Sequence, residues 1–74
     1  MGINESFVVD HIRNYNRARR QIYEDRALLA IGIHAGLLKK SKSVAPELSE
    51  EERQRVIYFC REFLKSAGIL AEIN

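Results

Sequence analysis

Few residues of this chain have the chemistry of a catalytic or metal site. There is one cysteine, Cys60, and there are two isolated histidines, His11 and His34. A structural zinc site takes four ligands in close spacing, so we expect no metal ion and no cofactor. Cys60 lies in an apolar stretch, as a buried thiol does, and a single cysteine makes no disulfide within the chain.

The serines and carboxylates also lack the arrangement that catalysis requires. None of the serines has a histidine beside it in helical register, and no glycine-rich phosphate loop is present. Glu50, Glu51 and Glu52 stand together at a predicted helix start, where capping accounts for them. A chain of 74 residues also offers little room for a substrate pocket. The sequence therefore predicts a protein that is not an enzyme.

Arginines form the chain's most distinctive charged pattern, although the net charge is only +2. Arg13, Arg17 and Arg20 share one exposed face at helical spacing and are available to an acidic protein surface or to phosphates. Arg19 and Arg26 fall within the apolar stripe, so we expect them either to extend their charged ends to water or to pair with glutamates, for which residues 50–52 of the same or a second chain are the candidates. On a later helix, the following residues share an exposed face that suits a protein partner: Tyr58, Arg61 and Lys65.

Two helices are predicted to position these side chains. The first begins after Asn4 or Ser6, either of which can cap it, and runs to about residue 38 because no proline precedes Pro46. Its apolar residues recur at steps of three, four or seven. This stripe consists of Val8, Ile12, Tyr15, Ala18, Ile22, Leu29 and Ile33.

The second helix, about 49–67, follows a polar loop that spans residues 39–47. Ser49 and Glu52 have the spacing of a capping box, and Gly68 is placed to take a left-handed cap with Ile69 packing back on Leu64. The pattern predicts an all-α fold: one small helical domain, residues 1–74, built as an antiparallel helical hairpin with a long and a short arm.

The run from Ala27 to Leu38 is apolar on nearly every side, and a helix of that kind belongs inside something. Gly32 and Gly36 either allow close helix packing or end the helix and begin a turn. Opposite the main stripe a second seam consists of Leu28, Ile31, Ala35 and Leu38. We expect the seam and the two glycines to form the interface of a homodimer, which would then be a helical bundle.

Two functions are consistent with these features. The first is a small regulator, inhibitor or adaptor that binds another protein; the second seam is then either a dimer interface or the partner site itself. The alternative is a nucleic-acid-binding accessory protein. Its contacts would be Arg13, Arg17, Arg20, Lys39, Lys40 and Lys42.

Targeting signals give one further expectation. The apolar run is shorter than the roughly 17 to 25 residues that cross a bilayer, so we expect a cytoplasmic protein with no membrane partner. Residues 1–6 do fit the pattern for N-myristoylation, a short pattern that chance often produces.

Overall fold

The computed structural model of the chain describes residues 2–44 and 47–74. In these two segments the chain forms three α-helices, one short 3-10 helix and no strand, which confirms the predicted all-α class. The helices are α1 (Glu5–Arg17), α2 (Gln21–His34) and α3 (Glu50–Ala67), and the 3-10 helix is Lys40–Val44. Met1 of the lipidation pattern and Ala45 and Pro46 of the predicted loop lie outside the described residues.

Helix α1 begins where the sequence predicts. The Asn4 side chain accepts a hydrogen bond of 3.0 Å from the backbone N–H of Phe7, which caps the helix. Val8, Ile12 and Tyr15 lie on one side of α1 and are buried. The first half of the predicted apolar stripe therefore faces the core.

The prediction of one unbroken helix over residues 5–38 is wrong. The chain turns at Ala18–Arg20, where Ala18 (φ −64°, ψ 135°) and Arg20 (φ −131°, ψ 144°) are extended. Neither glycine nor proline stands there, so local conformational preference does not cause the break. The cause is burial: an unbroken helix would leave the second apolar seam in water, whereas the turn lets α1 cover part of α2.

Helices α1 and α2 pack as an antiparallel hairpin, so the two arms are not those predicted. The backbone N–H of Asn4, at the start of α1, donates to Nε2 of His34, at the end of α2, over 2.9 Å. The ring of Phe7 stacks on both imidazoles, at 4.2 Å from His11 and 4.4 Å from His34 between ring centroids. These contacts hold the open end of the hairpin together.

The predicted dimer seam belongs to the core of the single chain. Leu28 and Ile31 have no exposed surface, and Leu38 is 7% exposed. Helix α2 packs against α1 and α3, and these contacts lie on the side of α2 that carries Leu28 and Ile31. Ala35, the fourth residue of the seam, is half-buried at the end of α2. Leu28, Ile31 and Leu38 are thus not on the surface, whereas Ala35 is partly buried and Gly36 is exposed, and the dimer itself stays a prediction.

The two glycines of α2 have different roles. A methyl group on Gly32 would lie 2.6 Å from Leu38 Cδ1 and 3.1 Å from Val56 Cγ2, so Gly32 permits close packing within the chain, not between chains. Gly36 has a φ of +76°, and its N–H donates to the carbonyl of Ile33. Gly36 therefore ends α2, which was the alternative interpretation of the glycine pair.

Helix α3 agrees with the sequence prediction at both ends. The Ser49 hydroxyl accepts from the Glu52 N–H (3.1 Å), and the Glu52 carboxylate accepts from the Ser49 N–H (2.9 Å). At the other end Gly68 is left-handed, and the N–H of Ile69 donates to the Leu64 carbonyl over 3.0 Å. Local signals fix this helix completely.

Candidate functional site

A groove lies between the C-terminal half of α1 and the first turns of α2. Its volume is about 460 Å³, and it opens on the outer side of the hairpin. The groove is lined by His11, Asn14, Arg17, Ala18, Arg19, Tyr23, Arg26, Ala27 and Ala30. Its floor residues are alanines and its rim is arginine and tyrosine. We call it the basic groove.

One strip of α2 is exposed in its N-terminal half and partly buried in its C-terminal half, where Ile33 packs against the core. Its members recur at steps of four, four and three residues and so follow one line along the helix. We call this line, made of Ile22, Arg26, Ala30 and Ile33, the α2 outer strip. Ile22 is 56% exposed, and Tyr23, beside it, is 54% exposed. Large apolar side chains therefore face solvent next to the basic groove.

A second groove, of about 450 Å³, borders the same strip on its other side. Ile22 and Arg26 line it together with Leu48, and its acidic residues are Asp25 and Glu47. Arg26 lines both grooves. The α2 outer strip is thus a ridge between a cationic groove and one that contains carboxylates.

The arginines of the basic groove have no carboxylate partner among the described residues. No ion pair in residues 2–44 and 47–74 includes Arg17, Arg19 or Arg26. The Arg26 guanidinium lies 5.9 Å from the centre of the Tyr23 ring, within cation–π range. The groove therefore presents guanidinium groups that form no ion pair with the carboxylates of the described residues.

Within the described chain Arg19 and Arg26 do not pair with Glu50, Glu51 or Glu52, and a pairing with a second chain stays a prediction. All three glutamates pair with other residues, and Arg53 lies between Glu50 and the buried Asp25. The three pairs are Glu50 with Arg53, Glu51 with Arg55, and Glu52 with Lys42. Each of these residues lies in α3 or next to it. The three glutamates therefore already have cationic partners and do not pair with Arg19 or Arg26 of the hairpin.

The predicted arginine face is divided by the turn at residues 18–20. Arg13 and Arg17 stay on the exposed side of α1, whereas Arg20 becomes the N-cap residue of α2. Arg17 lines the basic groove, but Arg13 lines a different one together with Asp10 and Ile69. The three arginines therefore do not form one continuous helical face.

The other predicted contact residues lie on α3 and near the 3-10 helix. Tyr58 is 66% exposed, and Arg61 is exposed with it, while Lys65 is 3.7 Å from Glu62. Lys39 and Lys40 are exposed, but Lys42 pairs with Glu52 at 3.2 Å. No hydrogen bond, ion pair or groove in the described structure joins either set to the basic groove.

The groups that looked reactive in the sequence have structural roles. Burial raises the pKa of the Cys60 thiol to about 12, so it stays protonated at neutral pH. His34 accepts a hydrogen bond at Nε2, and His11 is hydrogen-bonded through Nδ1 to the Phe7 carbonyl over 2.8 Å. No group of three or more metal-ligating side chains occurs in the described segments. None of the three helices described is long and apolar enough to cross a bilayer.

Sequence reasoning missed the residues that make this surface distinctive. It assigned Ile22 to the buried stripe and gave Tyr23 no role. Both of these assignments assumed one unbroken helix over residues 5–38. The signal was available: Arg19 and Arg26 fell within that stripe, where an unpaired charge is costly. Two charges in an apolar stripe indicate a break in its register.

Comparisons with known proteins add no further assignment. No family model, no curated protein and no solved structure matches the chain. A function for this chain therefore rests on the residues and geometry described above.

Proposed function

We propose that the chain is a non-catalytic protein-binding module, a small regulator, inhibitor or adaptor, that contacts its partner through the α2 outer strip and the basic groove. One observation carries the proposal. Ile22 and Tyr23 are each more than half exposed beside arginines that have no acidic partner in the described chain. Tyrosine and arginine dominate the energetics of protein interfaces, and exposed apolar side chains beside them supply the area to be buried.

The chain's own core also supports this choice of surface. Leu28 and Ile31 are already buried, so self-association is not needed to cover them. An antiparallel two-fold dimer through the α2 outer strip would place the basic grooves of the two copies, each with Arg17, Arg19 and Arg26, on the same side of the contact and near each other. Like charges at that distance repel, and no described carboxylate of the basic groove offsets them.

We therefore propose a different protein as the partner, and a chain that is monomeric without it. Light scattering of the purified chain is expected to give the monomer mass of 8.5 kDa. Twice that mass would favour the homodimer predicted from the sequence. The cytoplasmic location expected from the sequence stays a prediction.

The experiment that tests the protein-binding function compares two matched double variants. Tyr23→Ala with Arg26→Glu changes the proposed surface, and Tyr58→Ala with Arg61→Glu makes the same changes on exposed α3. Each tagged chain captures proteins from cells of its native host, with nuclease present. A partner is accepted if the wild type and the α3 variant retain it, the α2 variant loses it, and the purified partner then binds the purified chain. Equal capture by all three chains would contradict the proposal.

Nucleic acid is the second candidate, and one observation favours it. Arg17, Arg19 and Arg26 make no ion pair in the described structure, and they line a groove beside an exposed tyrosine, as in proteins that bind single strands. Lys39 and Lys40 would extend the contact. Binding of nucleic acid that weakens steeply as the salt concentration rises, and that is lost in the double variant Arg17→Glu with Arg20→Glu, would support this candidate. Absence of binding at low salt would remove it.

A further inference from the structure

The shape and charge around the α2 outer strip specify the kind of element that binds there. We infer that the partner contributes an amphipathic helix with carboxylates along one flank, lying along α2 between the two grooves. This inference rests on the proposed function and adds the chemistry of the partner to it. The length of the strip, its small residues and the charges beside it each point to such a helix.

The strip has the dimensions of a helix contact. Ile22 and Ile33 are eleven residues apart on one helix, which corresponds to about 16 Å or three turns. A groove of about 460 Å³ follows one side of the strip as far as Ala30, and a groove of about 450 Å³ follows the other side from Ile22 to Arg26. A helix that docks on another surface places apolar residues at steps of three and four into such depressions. A partner segment of about three to four turns fits this length.

Small side chains allow a backbone to approach closely. Ala18, Ala27 and Ala30 line the basic groove, and Ala30 also lies on the α2 outer strip. Ridges of a packing helix fit into grooves where the facing side chains are short. A larger residue at position 30 would fill the depression without disturbing the buried side of α2, because Ala30 is only partly buried.

Charge determines which flank of the partner faces which groove. Arg17, Arg19 and Arg26 line the basic groove, and no carboxylate lines it. The other groove contains Glu47 and Asp25, and Asp25 is already bound by Arg53 at 3.1 Å. Carboxylates of the partner are therefore expected on the α1 side, where they pair with arginines, and apolar residues above Ile22 and Ile33.

The same features disfavour a nucleic acid as occupant of the strip. Three of its four residues are apolar, whereas a phosphate backbone is bound by cationic and hydrogen-bonding groups. The aromatic rings lining the basic groove are Tyr23 and the imidazole of His11, which already stacks on Phe7, and the carboxylate of Glu47 borders the strip on its other side. Repulsion between that carboxylate and phosphates adds to the mismatch.

The test uses defined probes and nuclear magnetic resonance. Two 14-residue peptides, stapled as helices, carry leucines on one face and differ only in four glutamates or four lysines along one flank; a single-stranded RNA 12-mer is the third probe. Each is titrated into the full ¹⁵N-labelled chain at low salt. The glutamate peptide is expected to shift the amides of Ile22, Arg26, Ala30 and Ile33, and the lysine peptide to bind at least tenfold more weakly.

Two variants make the result specific. Arg26→Glu is expected to reduce the affinity of the chain for the glutamate peptide about tenfold. The ratio of its affinities for the glutamate and lysine peptides should become smaller as well. Ala30→Trp is expected to abolish the shifts while the circular dichroism spectrum stays that of the wild type. As a control, Arg61→Glu should leave both affinities within twofold.

Other outcomes would overturn the inference. These are equal binding of both peptides, shifts confined to residues outside the α2 outer strip and the basic groove, no shift at millimolar peptide, or tighter binding of the RNA to the same amides. The proposed function can survive such a result. If a protein partner captured through the α2 surface binds by an extended or basic segment, the helix inference fails alone; if no capture depends on that surface, the proposed function fails.

Discussion

Arg53 of α3 holds Asp25 of α2 in a two-pronged ion pair, with Nε and Nη2 each 3.1 Å from one carboxylate oxygen. Both side chains are largely buried, at 15% and 12% exposed. Arg53 also donates to Glu50 over 2.8 Å, and these bonds raise the pKa of its guanidinium. The pair fixes how α3 sits against the hairpin, and therefore where Leu48 and the second groove lie.

Removing Asp25 is expected to destabilise the fold strongly. In Asp25→Ala the guanidinium of Arg53 loses both bonds while it stays mostly buried, and we expect a loss of about 2–3 kcal/mol in the free energy of unfolding. For a domain of this size each kcal/mol lowers the melting temperature by about 4–8 °C. Urea unfolding followed by circular dichroism measures the change.

The control for this prediction is an ion pair on the surface of α3. Arg55→Ala removes an exposed contact with Glu51 and should cost about 0.5 kcal/mol or less. A double variant, Asp25→Leu with Arg53→Met, should recover much of the lost stability because no charge is left buried. If Asp25→Ala and Arg55→Ala cost the same, the pair does not have the role given to it here.

Gly32→Ala is expected to destabilise the protein although alanine favours helices. The added methyl would stand 2.6 and 2.8 Å from two atoms of Leu38 and 3.1 Å from Val56, and both neighbours are buried. Overpacking of this kind should outweigh the helix propensity gain of about 1 kcal/mol and leave a net loss of about 1–2 kcal/mol. Thermal and urea unfolding measure whether Gly32→Ala lowers or raises the free energy of unfolding.

A second background separates this clash from other effects of losing a glycine. With Leu38→Ala the space opens, and Gly32→Ala should become neutral or stabilising. Gly36→Ala should cost about 1 kcal/mol in both backgrounds, because its cost comes from a φ of +76° and not from contact. Equal penalties for Gly32→Ala with and without Leu38 would show that the clash is absent.

Helix α3 was predictable because its signals are local. Ser49 and Glu52 satisfy each other's backbone donors, and Gly68 ends the helix through its own conformation. Both effects depend on residues within one turn, so sequence spacing is enough to identify them. The cap of α1 at Asn4 was found in the same way.

The turn at Ala18–Arg20 was not predictable from such signals. Its residues favour a helix, and the chain leaves the helical conformation there because Leu28 and Ile31 gain a covered environment when α1 folds back. That gain depends on contacts between distant residues. The same fold-back exposes Ile22, so the candidate site could not be located before the turn was known.

The capping box of α3 gives a prediction about acid. The hydrogen bond from the Ser49 N–H, and then the neighbouring Lys42, hold the pKa of the Glu52 carboxyl below its ordinary value. A lowered folded-state pKa adds stability that is present above the ordinary value and is lost as the pH falls through the lowered one. Unfolding free energies at pH 6, 5, 4 and 3 should therefore fall more for the wild type than for Glu52→Gln.

Glutamine retains the capping hydrogen bond but does not titrate, so it isolates the charge effect. Glu51→Gln is the matched control, since its pair with Arg55 is exposed to water. Parallel pH profiles for the wild type and Glu52→Gln would contradict the prediction.

Asn16 of α1 forms two hydrogen bonds with the C-terminal segment. Asn16 donates from Nδ2 to the Glu72 carbonyl over 2.7 Å and accepts at Oδ1 from the Asn74 N–H over 2.9 Å, with Ile73 buried between them. Asn16→Ala removes both bonds, so the amides of residues 72–74 should exchange at least tenfold faster and the fold should lose about 1–2 kcal/mol. Asn14→Ala, which removes only an exposed contact with Arg17, should leave that exchange unchanged.

Ile73 adds apolar burial to these two hydrogen bonds. Ile73→Ala should therefore speed hydrogen exchange at the same amides and lower the free energy of unfolding by about 2–3 kcal/mol. Slow exchange in both Asn16→Ala and Ile73→Ala would mean that other contacts hold the segment.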